Sequence, residues 1–176
     1  MFNQNTYKFS FDREKALEVL LYISSSIEDM YKTLKVVYFA DKMHLSKYGR
    51  LINGNSYVAM KNGPVPSEAY DIIKAIKGDS VFIPLETEKS SLTINGNKIT
   101  PLRKADLQKL SKSDIECLDE SIKKYKPYSF NELHNESSDS AYHSTSQNDI
   151  MSLEAIICTL PNALEIKQYL AEIYDD

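Results

Sequence analysis

Cysteine is scarce in this chain. Cys117 and Cys158 are the two present, and they lack the paired spacing of a metal site or a disulfide. Both fall in helical patterns and read as buried small hydrophobes. No run of about 18 apolar residues occurs, so no membrane span is expected. Met1-Phe2-Asn3-Gln4 lacks the basic segment followed by an apolar one that marks a leader, and a cytoplasmic location is expected. The Gly63-Pro64-Val65-Pro66 turn has too few glycines to cradle a phosphate. No Ser/His/Asp or Cys/His set stands in a motif context that would support a nucleophile. Neither a helix-turn-helix signature nor an internal repeat is visible. The formal net charge is −4; residues 1–80 hold 11 Lys/Arg against 9 Asp/Glu (+2) and the remainder 10 against 16 (−6). That balance has no basic stripe, so no nucleic-acid partner is expected. An acidic C-terminal half suits a basic partner protein, and solubility explains it equally well.

What is present points to one soluble domain: 176 residues, 42% of them hydrophobic, suffice to bury a core. The pattern is mainly α (α+β), a compact arrangement of about six to seven helices with a small antiparallel β hairpin. The first helix starts near Ser10 or Asp12 and runs to Ile23. Val81–Leu85 reads as a short or edge strand, limited by Pro84. Leu92–Ile94 and Lys98–Thr100 flank Asn95-Gly96-Asn97, a hairpin signal with two registers open: Leu92 opposite Ile99, or Ile94 opposite Ile99. Capping boxes at Ser113–Glu116 and Ser129–Glu132 open two further helices, and residues 135–148 read as a loop. Helices over Ile150–Leu160 and from Asn162 onward, with Ile166, Leu170 and Ile173 as the inward stripe of the latter, complete the chain.

The most informative stretch is Leu34–Ile76. Leu34, Val37, Tyr38, Leu45 and Tyr48 give a helix one buried face, ended by Gly49 as a left-handed cap. Asp41 falls on that face and His44 near its edge. Asn53-Gly54-Asn55 supplies a turn, Tyr57–Met60 an extended run, and Gly63-Pro64 a second reversal. Ser67 is expected to cap the next helix, with Tyr70, Ile73 and Ile76 inward.

Within this stretch Tyr38, Asp41, His44, Tyr48-Gly49-Arg50, Gly54, Tyr57, Met60, Gly63-Pro64-Val65-Pro66-Ser67 and Tyr70-Asp71 resemble the signature of the Panacea (SocA-like) domain. His134 and Tyr142 resemble a second, fainter part of it. On this resemblance residues 1–145 are the family domain, and 146–176 are a helical extension packed on the same core. The resemblance implies an antitoxin of a bacterial or phage toxin–antitoxin pair, not an enzyme, that binds a cognate protein toxin. A proteolytic adaptor delivering the toxin to a cytoplasmic protease is the alternative it also implies. No cofactor is expected.

The residues allow two further weighings. Asp41 and His44, at i,i+3, lie on one side of a helix where a metal or acid–base pair could form, but two ligands are too few for a metal and no third is anchored. A phage-associated metal-dependent hydrolase using them is the enzymatic rival. The structural reading is that Asp41 accepts hydrogen bonds from backbone amides of the following loop and fixes it. The Gly63–Pro66 turn either seats the next helix or forms an exposed ridge for a partner, with Arg50, Tyr57, Pro64, Val65 and Tyr70 as candidate contacts. Acidic Asp114, Asp119 and Glu120 are candidates to aid such contact.

Overall fold

The computed structural model describes residues 9–174, so the reading of Met1–Gln4 lies outside the described residues. Asp12 caps helix α1 (Arg13–Ser24) by accepting from Lys15 N, and Asp29 caps α2 (Met30–Tyr48) by accepting from Lys32 N. Gly49, at φ 70°, closes α2 in the left-handed conformation and donates to Leu45 O. The expected single buried face of α2 is too narrow: every residue from Thr33 to Asp41 is buried. A helix apolar nearly all round belongs at the centre of a fold.

Strands β1 (Tyr57–Met60) and β2 (Gly63–Pro66) pair antiparallel, Tyr57 opposite Pro66 and Met60 opposite Gly63. Helix α3 (Ser67–Lys77) follows at once, and its N-cap is Pro66 rather than Ser67. The orphan amides are met from the preceding loop: Asn55 Oδ1 accepts from Ala69 N at 3.3 Å, while Ser67 N donates to Ser56 O at 2.8 Å. The buried stripe of α3 is Ala69, Ile72, Ile73 and Ala75, leaving Tyr70 and Ile76 half-buried at its edge. Residues 81–85 form no strand; Val81 and Ile83 are 94% and 82% exposed. Composition favoured extension there, but no neighbouring strand offers a ladder.

A single turn, α4 (Glu86–Lys89), leads into the hairpin β3 (Leu92–Asn95) and β4 (Lys98–Pro101). Its register sets Ile94 opposite Ile99, with positive φ at Gly96. After a 3₁₀ turn come α5 (Lys112–Tyr125), α6 (Phe130–Ser137) and the single turn α7 (Ser140–His143); the end of α6 and all of α7 lie where a loop was expected. Strand β5 (Ile150–Met151) adds to β1, making a sheet of order β2-β1-β5, so the expected helix starts later, as α8 (Leu153–Cys158). Helix α9 (Ala163–Tyr174) ends the described chain; Ile166 and Leu170 are buried and Ile173 is half-exposed. Seven helices match those expected, and the single turns α4 and α7 bring the described total to nine.

Two apolar clusters meet across α2. One joins it to β1, α5, α8 and α9, with Phe39 stacked on Tyr125 at 3.8 Å. The other packs α1, the start of α2, α3 and the hairpin around Leu20, Leu34, Ile73 and Ile99. Ser121, small and buried, brings α5 close enough to donate its hydroxyl to Val36 O at 2.9 Å. Cys117 is buried as expected, but Cys158 is exposed, because Ile156 and Ile157 take the inward side of the short α8.

Candidate functional site

The motif residues converge where the second half of α2 meets the loop 49–56, and two buried carboxylates organise them. Asp41, 1% exposed, accepts from Ile52 N at 2.7 Å and from the Tyr57 hydroxyl. One backbone N–H of the loop and one side-chain O–H therefore stand where backbone amides alone were expected. Burial lifts the Asp41 carboxyl to about 6, against the opposing pull of the Tyr57 hydroxyl and the Ile52 amide. Tyr57 is itself buried, its ring edge-on to Tyr38 at 4.9 Å.

The second carboxylate is Asp114. It is fully buried, which removes it as a surface contact for a partner. The capping box was expected at Ser113; instead Ser111 caps α5, with its N–H donating to Asp114 Oδ2 at 2.8 Å. Lys15 reaches the same oxygen at 2.7 Å, and Arg50 Nη2 reaches Oδ1 at 3.0 Å. Burial opposes the Asp114 charge, but Lys15 and Ser111 outweigh it and hold the carboxyl below its ordinary range. Ser113, freed from capping, sits 2.9 Å from His44 Nε2. His44 Nδ1 lies 2.9 Å from the Arg50 carbonyl, which can only accept, so Nδ1 carries the proton and Nε2 accepts from Ser113. Burial pushes the imidazole below its ordinary value, which keeps it neutral.

Arg50 is a strut rather than a free contact. It donates to Leu51 O and Ile52 O at 3.2 and 3.3 Å while holding Asp114, and so ties the loop to the start of α5. Tyr48 donates to Glu116 at 2.6 Å and lies beside the His44 ring. Gly54 has φ 75°, and a Cβ there would collide with the Ser10 carbonyl, so the loop backbone runs directly against the segment that leads into α1.

The exposed ridge expected at Gly63–Pro66 is not formed, because all four residues are buried. Packing against α2 and α6 covers β2, so Tyr57, Pro64 and Val65 are interior and cannot touch a partner from this fold. Tyr70 is half-buried under Lys74, which pairs with Asp71. Tyr142 joins the motif by donating to Met60 O at 2.7 Å, whereas His134 stacks on Phe130 instead.

Three partners escaped sequence reasoning. Lys35, 1% exposed, donates to Pro64 O at 2.6 Å beneath the Tyr31 ring, and burial lowers its ammonium to about 7. A lysine inside the run Leu34–Ala40 was the available signal. Asp139 accepts from Tyr38 and Lys42, and Lys15 comes from α1; neither has a local marker.

Chemically the arrangement is closed. The polar atoms of Asp41 and His44 are engaged internally, and among the described residues no group of three or more His, Cys, Asp or Glu is placed to hold an ion. Among the described residues no helix is long and apolar enough to cross a membrane.

Residues 34–142, well over half the chain, match the family described as antitoxin SocA-like, Panacea domain. No curated protein and no solved structure matches the chain.

Proposed function

The chain belongs to the antitoxin SocA-like, Panacea domain family, and from that premise we propose that it neutralises a cognate protein toxin by direct contact in the cytoplasm. Membership of an antitoxin family points to a protein partner and a non-enzymatic role. The observation that carries the reading is the match over residues 34–142. The geometry supports it, since the motif's polar groups are engaged in holding helices and loops together, and a rigid scaffold loses little entropy when it binds.

The mechanism is occlusion: one face of the folded chain covers the toxin's working surface. Of the acidic residues considered for this, Asp114 is interior, whereas Asp119 and Glu120 lie exposed on α5, bound to Tyr22 and Lys47. Co-expression with the product of the neighbouring reading frame tests the proposal. The expected outcome is growth rescue and a co-purifying complex of the two proteins. No rescue and no complex would contradict it. Rescue accompanied by faster loss of the partner protein would mean delivery to a protease instead of occlusion.

A further inference from the structure

The turn between β1 and β2 carries Lys61 and Asn62 into solvent, and its backbone is held from outside the sheet. Tyr31 donates to Asn62 O at 2.9 Å, Lys35 to Pro64 O at 2.6 Å, and Tyr142 to Met60 O at 2.7 Å. Three carbonyls of one turn are thus fixed by side chains from α2 and α7. A projection locked in this way is preorganised for contact.

Aromatic surface adjoins it. The Tyr31 ring packs on Phe130 at 4.4 Å, and Phe130 stacks on His134 while remaining 49% exposed. Lys32 donates to Lys126 O at 2.6 Å, which brings the end of α5 onto the same face.

Charge adds to the character of this face. Most described lysines and arginines pair with a carboxylate. On this face Lys32, Lys61 and Lys126 form no ion pair, as is also true of Lys104, Lys112 and Lys123, and the ammonium groups of Lys61 and Lys126 take part in no hydrogen bond either. The rim also carries two carboxylates held by neutral donors: Asp29 caps α2 and accepts from Asn97, and Glu132 accepts from Ser129 N. A protein of net charge −4 therefore carries, beside an exposed aromatic, two exposed ammonium groups without an ion pair.

We propose that this face, centred on Lys61, Lys126 and Phe130, is where the chain docks its protein partner, and that it receives an acidic segment of that partner bearing an aromatic or apolar side chain. Unpaired cations next to a half-exposed ring match such a segment in charge and shape. A nucleic acid fits less well, because a polyanion extending past the lysines meets Asp29, Glu132 and an acidic remainder. The proposal rests on the reading of the chain as a binder of a protein toxin.

The test has a partner-free arm and a cellular arm. In the first, a fluorescent random glutamate–tyrosine copolymer is titrated with the full chain. Wild type binds it in a salt-sensitive way, the double variant Lys61→Glu/Lys126→Glu binds about tenfold more weakly or worse, Phe130→Ala is weakened, and Val81→Asp, in the exposed 81–85 segment, is unchanged. No binding by wild type, equal binding by the double variant, or tighter binding of a single-stranded oligonucleotide than of the copolymer would overturn the proposal. In the second arm the double variant, shown folded by its unchanged melting temperature, fails to rescue cells from the neighbouring toxin; full rescue would overturn the proposed face. Salt-sensitive copolymer binding without rescue from the neighbour's product, even by wild type, would leave the surface standing and remove the antitoxin reading alone.

Discussion

At Lys35 an ammonium is buried against a backbone carbonyl and an aromatic ring, with no carboxylate to balance it. Burial lowers its pKa from 10.5 to about 7, so between those values the unfolded chain holds a proton that the folded chain does not. Stability must then rise with pH across that window, and the cost of the buried charge is borne in full below about 7. Lys35→Met should flatten this rise, as read from urea midpoints between pH 7 and 10; a slope equal to wild type would refute it. Asp41 has the opposite sign. Its carboxyl, lifted from 3.8 to about 6, contributes stability that is present below 3.8 and lost as pH rises through 6. Removing the side chain leaves the Ile52 amide and the Tyr57 hydroxyl buried without an acceptor. Asp41→Ala should therefore lower stability by about 1–3 kcal/mol at neutral pH. Asp41→Asn, which keeps an oxygen toward Ile52, should cost less. A melting temperature unchanged in Asp41→Ala would remove the loop-holding role.

Among the elements, the start of α5 is the sharpest case of two serines competing for one role. Ser111 caps and Ser113 serves His44. Ser111→Ala should cost about 1 kcal/mol of stability through the lost cap, measurable by chemical denaturation; no loss would return the cap to Ser113. Sequence could not separate them, because the choice is made by Lys15 and Arg50, which arrive from distant elements to fix Asp114. Elements with strictly local signals were legible, as the Asp12 start of α1, the Gly49 cap and the Ser129 box show. The β3–β4 hairpin was legible as a hairpin but not in register. Its register is set from outside, where Met30 N donates to Asn97 O and Ile99 N to Glu28 O. Strand β5 has two residues and exists because β1 offers an edge, so nothing local announces it. Residues 81–85 err the other way, being rich in β-formers with no strand to join.

Across the whole molecule, α2 is the post on which everything else leans. Ile156, Ile157, Leu160, Ile166 and Leu170, from the last thirty-odd residues, share its apolar cluster. We propose that this C-terminal portion belongs to the fold. Truncation after residue 145 should abolish cooperative thermal unfolding, whereas a truncated chain melting like the full one would make the segment a separate appendage. The family signature was legible in the sequence, because Gly, Pro, Tyr and Asp at fixed spacing are what the bend after α2 needs. Its direction was not. Turn-rich residues suggested an outward ridge, yet β2 is interior, and the solvent-facing part is the neighbouring Lys61-Asn62. The central proposal is that the motif builds the scaffold on which a protein partner is bound and does no chemistry. The most direct measurement is neutralisation of the purified neighbouring toxin by Asp41→Asn, at a temperature where circular dichroism shows that variant folded. The account predicts full, stoichiometric inhibition; a folded variant that no longer inhibits would contradict it.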